Sequence, residues 1–125
     1  MHLHSELINT TIDFFVQNFN DHKYEEACSI YTDRAILIDD QCIVVGRHSI
    51  VMFYEHSDYS NITNHHIVDM YLTDDLQHAM VLVEFTLASN TGESVVFRHC
   101  CTNLLFELSP TGNPVIVSGT SLVLR

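Results

Sequence analysis

The chain has 125 residues, 46 % of them hydrophobic and 17 % charged, proportions that suit one folded domain over residues 1–125. Sixteen acids against five bases give a formal charge of −11, which argues against nucleic acid and against anionic membrane surfaces, because both need clustered Lys and Arg. No apolar run has the length of a membrane span, and Met1-His2-Leu3-His4-Ser5-Glu6 lacks the basic start and apolar stretch of a secretion signal, so a cytoplasmic location is expected.

The first element reads as a helix. Ile8, Ile12, Phe15 and Phe19 recur at helical spacing and draw one apolar stripe, with Ser5 as the expected N-cap. Asn20-Asp21-His22 breaks the pattern. A second helix then carries Tyr24, Ala27, Cys28 and Tyr31 and is expected to end near Thr32-Asp33. Ala35 to Asp39 is β-branched-rich and reads as a strand, Asp40-Gln41 as a turn, and Cys42 to Val45 as a short return strand. Gly46 opens a third helix with Ile50, Phe53 and Tyr54 on its buried side.

Strands follow: Thr63 to Leu72, His78 to Ala88, Ser94 to Leu108 and Val115 to Leu124. The turns between them are Asp74-Asp75, Asn90-Thr91-Gly92 and Ser109-Pro110-Thr111-Gly112-Asn113. Helices first and long strands after them indicate an α+β domain. Three N-terminal helices cannot cover both faces of such a sheet. The sheet is therefore expected to bend strongly around them, and its outer face to pack against a second copy as a homodimer.

Cys28, Cys42, Cys100 and Cys101 form no C-x-x-C pair and read as reduced thiols rather than a disulfide frame. The nine histidines lack the spacing of a metal centre: His65 and His66 point to opposite faces of a strand, and His2-x-His4 is a weak chelator at most. No metal and no cofactor are expected. There is no Gly-rich phosphate loop and no G-x-S-x-G elbow.

The stretch Phe19-Asn20-Asp21 through Tyr31-Thr32-Asp33-Arg34-Ala35-Ile36-Leu37-Ile38-Asp39, followed by Val45-Gly46-Arg47-His48-Ser49-Ile50-Val51-Met52-Phe53-Tyr54, resembles the front half of the ketosteroid isomerase-like and SnoaL-like families of the nuclear transport factor 2-like superfamily. A helix ending in Asn, a strand finishing in Asp and a Gly opening the third helix carry the likeness. The resemblance implies a cystatin-like cone, the three helices packed in a strongly bent mixed or antiparallel sheet around a central pocket. It also places Asp39 where ketosteroid isomerases keep their general base. A carboxylate aimed into an apolar hollow suits proton shuttling beside a carbonyl, and ketosteroid isomerases combine such an Asp base with an oxyanion hole.

Two departures stand out. The oxyanion-donating Tyr of the resemblance falls on Phe15, and its protonated late-strand Asp falls at about Leu104, near Thr102. Loss of even one such donor typically costs about 10²–10³ in rate. Tyr31 and Tyr54 fall where some isomerases keep hydrogen-bonded tyrosines.

Arg98 and His99 sit mid-strand, so one faces the pocket and the other the outer face. Arg98 inside would bind a carboxylate or pair with Asp39; His99 inside would form an acid/base pair with Asp39. The catalytic candidates are thus Asp39, Tyr54 and His99, and the ligand-binding candidates Phe15, Tyr31, Phe53, Phe97, Arg98 and Thr102. The leading expectation is a non-catalytic homodimer that binds a small apolar or carboxylate-bearing ligand. The alternatives are an isomerase, cyclase or dehydratase-like enzyme using Asp39, and a protein-interaction module.

Overall fold

A computed structural model describes residues 2–40, 42–109 and 112–124. Helix α1 (His2–Asn20) carries the apolar stripe, and Ile8, Ile12, Val16 and Phe19 are all buried. Its end is set by backbone geometry. His22 adopts a left-handed φ of 60°, its N–H donates to the Phe19 carbonyl at 3.0 Å, and the Lys23 N–H donates to the Asn18 carbonyl at 2.8 Å. This is the Schellman arrangement, which satisfies carbonyls the helix leaves open. Ser5 is not the N-cap: it lies inside the helix, its hydroxyl directed to the Met70 sulfur at 3.7 Å.

The second helix is shorter than its apolar pattern suggests. Helix α2 (Tyr24–Ala27) tightens into a 3-10 turn (Cys28–Ile30), and strand β1 (Tyr31–Ile38) already begins at Tyr31. Tyr31, Ala35 and Leu37 face inward from β1. After the turn come β2 (Ile43–Val45) and α3 (Arg47–Glu55). Gly46 joins them with φ 94° and ψ 143°, backbone that only glycine adopts without strain. Arg47 then ties α3 to β1, donating to the Tyr31 carbonyl at 3.2 Å and pairing with Asp33.

The remaining strands are β3 (Tyr59–Leu72), β4 (His78–Asn90), β5 (Val95–Glu107) and β6 (Val115–Val123). Of the turns expected around them, Gln41, Pro110 and Thr111 lie outside the described residues. The six strands form one sheet in the order β2-β1-β6-β5-β4-β3; β1 and β6 run parallel and the other pairs antiparallel.

The strongly bent cone expected from the sequence is not what forms. The sheet is open and not strongly curled, with β2 and β3 as unjoined edges. The physical reason lies at those edges: β2 offers only three residues for pairing, and α3 packs beside β1 and β2 while α1 packs against β3. Helices, rather than a closed ladder, cover the inner face.

Phe19, Phe106, Leu37, Ile50, Ile116 and Val81 fill the core between helices and sheet. On the outer face Tyr71, Met80, Phe97 and Leu122 remain exposed. Among the described residues no helix is long and apolar enough to cross a membrane.

Candidate functional site

Between α1, α3 and the inner sheet face lies a cavity of about 150 Å³. Its aromatic wall comes from helix and strand together. Phe15 packs edge-on against Tyr31 and Tyr54 (ring centroids 6.3 and 6.0 Å), and Phe19 meets Tyr54 at 5.4 Å. Val83, Phe85 and Leu87 of β4 supply the opposite wall, because alternate residues of a strand share a face.

Asp39 follows the last residue of β1. Its backbone N–H donates to the Cys42 carbonyl at 3.0 Å, fixing the turn that presents its side chain to the cavity. The Tyr59 hydroxyl donates to Asp39 Oδ2 at 3.3 Å. Burial, the Asp39 charge and this hydrogen bond push the Tyr59 phenol up to about 12, with the Arg98 charge acting weakly the other way.

Tyr31 and Tyr54 form a phenol pair on the cavity wall. Burial raises both well above the usual phenol range. Next to burial, the charge of an ionised Tyr31 raises Tyr54 further. Tyr54 as a residue keeps some exposure, so the desolvation applies to its hydroxyl end rather than to the whole ring. Cys28, behind them, has its thiol pushed up to about 12 by burial, which makes it inert as a nucleophile.

On β5 the alternation decides the remaining assignments. Arg98, Cys100, Thr102 and Leu104 line the cavity. Thr102 shares a 2.9 Å hydrogen bond with Ser121 of β6. Arg98 faces the mouth, across from Leu87 on β4, and is not ion-paired to Asp39 among the described residues.

Phe97 and His99 therefore project from the opposite face. Phe97 is 69 % exposed and does not line the cavity. His99 Nε2 lies 3.7 Å from Glu84 Oε2, an oxygen it shares with His66 Nε2 at 3.4 Å. Neither can meet Asp39, since one strand step reverses the side. Phe53 also stands outside the cavity, packing its ring on Tyr54 and Tyr59 at 5.4 and 6.2 Å.

The structure thus gathers Asp39, Tyr54, Phe15, Tyr31, Arg98 and Thr102 around one hollow and leaves His99, Phe97 and Phe53 out of it. Sequence reasoning missed Tyr59 and Ser121. Tyr59 lies in a stretch of β3 where the pairing register shifts between Tyr59 and Asn61 and again between Thr63 and His66. Such bulges destroy the period-two signal that would have assigned it a face. The described residues hold no group of three His, Cys, Asp or Glu side chains arranged to bind a metal ion.

No protein-family model matches the sequence, and no curated protein matches it. Solved structures do match it in fold. The chain superposes on a ketosteroid isomerase-like protein from Erwinia carotovora atroseptica with a TM-score of 0.81 at 15 % identity, covering 96 % of this chain and 95 % of that one. The fold is that of the nuclear transport factor 2-like and ketosteroid isomerase-like proteins. An NTF2-like protein with a cystatin-like fold from Novosphingobium aromaticivorans gives 0.75 at 12 % identity over 97 % and 82 % of the two chains. ActVI-ORFA from Streptomyces coelicolor gives 0.75 at 9 % over 95 % and 96 %. At these identities the likeness speaks for the fold alone, and one fold of this kind hosts unrelated activities.

Proposed function

We propose that this chain is a small-molecule-binding domain whose ligand sits among Phe15, Tyr31, Tyr54 and the inner strands. One observation carries this reading: a largely apolar hollow of about 150 Å³ whose polar groups, Asp39, Tyr59 and Arg98, gather at one side. Few polar groups placed on an apolar wall are what orient a small ligand. Thermal-shift screening of the wild type and Asp39→Asn against single-ring aromatic compounds tests it, because stabilisation follows occupancy. An unchanged melting temperature across such a panel at millimolar concentration would sink the proposal.

The Tyr59–Asp39 hydrogen bond favours a second reading, in which Asp39 takes a proton next to a ligand carbonyl. Tyr59 holds the carboxylate in one orientation for that transfer. Deuterium uptake from solvent into cyclohex-2-enone, followed by NMR, measures it directly. Uptake that is faster than in buffer and lost in Asp39→Asn supports a base at Asp39; uptake equal in both proteins rejects it.

Self-association through the outer face goes with either reading. Helices α1 and α3 pack on the inner side, and Phe97, Met80, Tyr71 and Leu122 stand exposed on the other. A sheet apolar on both faces calls for a second cover, and an identical face supplies one by two-fold symmetry.

A further inference from the structure

We infer that the cavity takes a single-ring amine in its protonated form, the ring among the aromatic walls and the ammonium held at the rim by the Asp39 carboxylate. The inference rests on the small-molecule reading above and adds to it the charge of the ligand.

The hollow measures about 150 Å³. An apolar cavity of about that volume admits benzene. One ring therefore fills it, and a polar substituent on that ring lies at the side where the polar groups gather. The charges at that side decide which substituent is accepted.

Three charged residues border it: Asp39, Asp40 and Arg98. No ion pair joins Arg98 to either acid among the described residues. Asp40 and Arg98 are exposed, whereas Asp39 is half-buried. Water screens an exposed charge more than one partly withdrawn from it, so Asp39 dominates the field inside. Its carboxylate also has room for a partner. The Tyr59 hydroxyl occupies Oδ2 at 3.3 Å, and Oδ1 meets no hydrogen-bond donor or cation among the described residues. A carboxylate only accepts and an ammonium only donates, so the two match.

The cavity wall registers the same sign. After burial, the largest cause of the raised Tyr59 phenol and Cys100 thiol is the charge of an acid, Asp39 at the first and Asp40 at the second, each outweighing the opposing Arg98. The rings of Phe15, Tyr31 and Tyr54 on the lining add to the preference, since aromatic faces carry partial negative charge and attract cations. The whole chain, at −11, draws cations toward the mouth. At the rim an ammonium keeps part of its water, so the full cost of burying a charge does not arise. A ligand carboxylate in the same place meets two acids and one screened Arg98.

Benzylamine, benzyl alcohol and benzoate test this as a set, alike in size but cationic, neutral and anionic at neutral pH. Affinities are measured by titration calorimetry for the wild type, Asp39→Asn and Asp74→Asn. Asp74 lies in the β3–β4 turn, off the cavity lining, and removing its charge changes the net charge by the same amount. The wild type should bind benzylamine about ten-fold more tightly than benzyl alcohol, the equivalent of one charge-assisted hydrogen bond, and benzoate most weakly. This ranking needs no variant to fold. The ratio of benzylamine to benzyl alcohol affinity should fall to about one in Asp39→Asn and stay in Asp74→Asn. Equal affinities in the wild type, benzoate binding tightest, or a ratio that survives in Asp39→Asn or falls as far in Asp74→Asn would overturn the cation role while leaving the pocket standing. Binding of none of the three would overturn the pocket reading and this inference together.

Discussion

The side-chain amide of Asn20 grips the backbone of Ile62 from both sides: its Nδ2 donates to the Ile62 carbonyl at 2.8 Å, and its Oδ1 accepts from the Ile62 N–H at 2.7 Å. The amide acts as a strand partner, docking the last residue of α1 onto β3 beside the bulge at Asn64, whose φ is 55°. A second tie follows a few residues on, where His65 Nε2 lies 2.7 Å from Asp13 Oδ1. Both hold α1 over the cavity that Ile12, Ile62 and His65 help to line.

Asn20→Ala should leave the Ile62 N–H and carbonyl without partners. Unsatisfied buried groups cost about 1–3 kcal/mol each, less where water reaches them. A loss of about 2 kcal/mol in urea-unfolding free energy is expected, with an unchanged m-value. A variant as stable as the wild type would show that water replaces the clamp at no cost.

Alkaline pH should destabilise the fold. The phenols of Tyr24, Tyr31, Tyr54 and Tyr59 are all raised above their ordinary value of 10.0, chiefly by burial. Above pH 10 the unfolded chain sheds these protons while the folded chain keeps them. The contribution of these phenols is complete below about pH 10 and declines as pH rises toward 12 and beyond, while that of the Cys28 thiol, raised from 9.0 to about 12 by burial, begins to fall already near pH 9. Melting temperatures between pH 9 and 12 should fall accordingly. Asp39→Asn removes the negative charge that helps hold the Tyr59 proton and leaves only a neutral amide oxygen as acceptor, so absorbance titration should find one phenol ionising earlier in that variant.

Gly46→Ala should cost about 1–3 kcal/mol, since φ 94° with ψ 143° is a region closed to side-chain-bearing residues. An added Cβ would meet only the Asp33 carbonyl oxygen at 3.6 Å, an ordinary contact. The penalty is therefore one of backbone conformation, and thermal melts should register it without loss of secondary structure. Wild-type stability in the variant would mean that the β2–α3 junction relaxes freely.

Phe97→Glu places a charge on the proposed self-association face, near the β4–β5 hairpin, at a residue 69 % exposed in the isolated chain. Sedimentation velocity should find a dimer for the wild type at micromolar concentration and a monomer for the variant, a weakening of at least about ten-fold for replacement of an exposed interface aromatic by a charge. A monomeric wild type would rule this face out as an interface between copies. The His66–Glu84–His99 group lies on the same face, on neighbouring strands.

The local features of this molecule were readable in its residues. The stripe Ile8, Ile12, Phe15, Phe19 follows from 3.6 residues per turn, and it is the buried side of α1. The opposition of Arg98 to His99, and of Cys100 to Cys101, follows from a strand's two-residue period. Which member of each pair faces the hollow did not follow, because that depends on the side the helices choose to cover. The open sheet was likewise invisible: closure turns on whether β2 and β3 meet, and no local pattern records the distance between two edges.

Asp39 could be singled out by its place at a strand end, but its partner could not. Tyr59 lies twenty positions away on a strand whose bulges erase alternation, and it reaches Asp39 only because β3 and the β1–β2 turn border the same cavity. Periodicity and turn chemistry are properties of neighbouring residues, so the chain alone determined its elements and the two sides of each. The cavity, its phenol pair and the carboxylate at its mouth arise from packing between elements distant in sequence, and only the tertiary structure decided them.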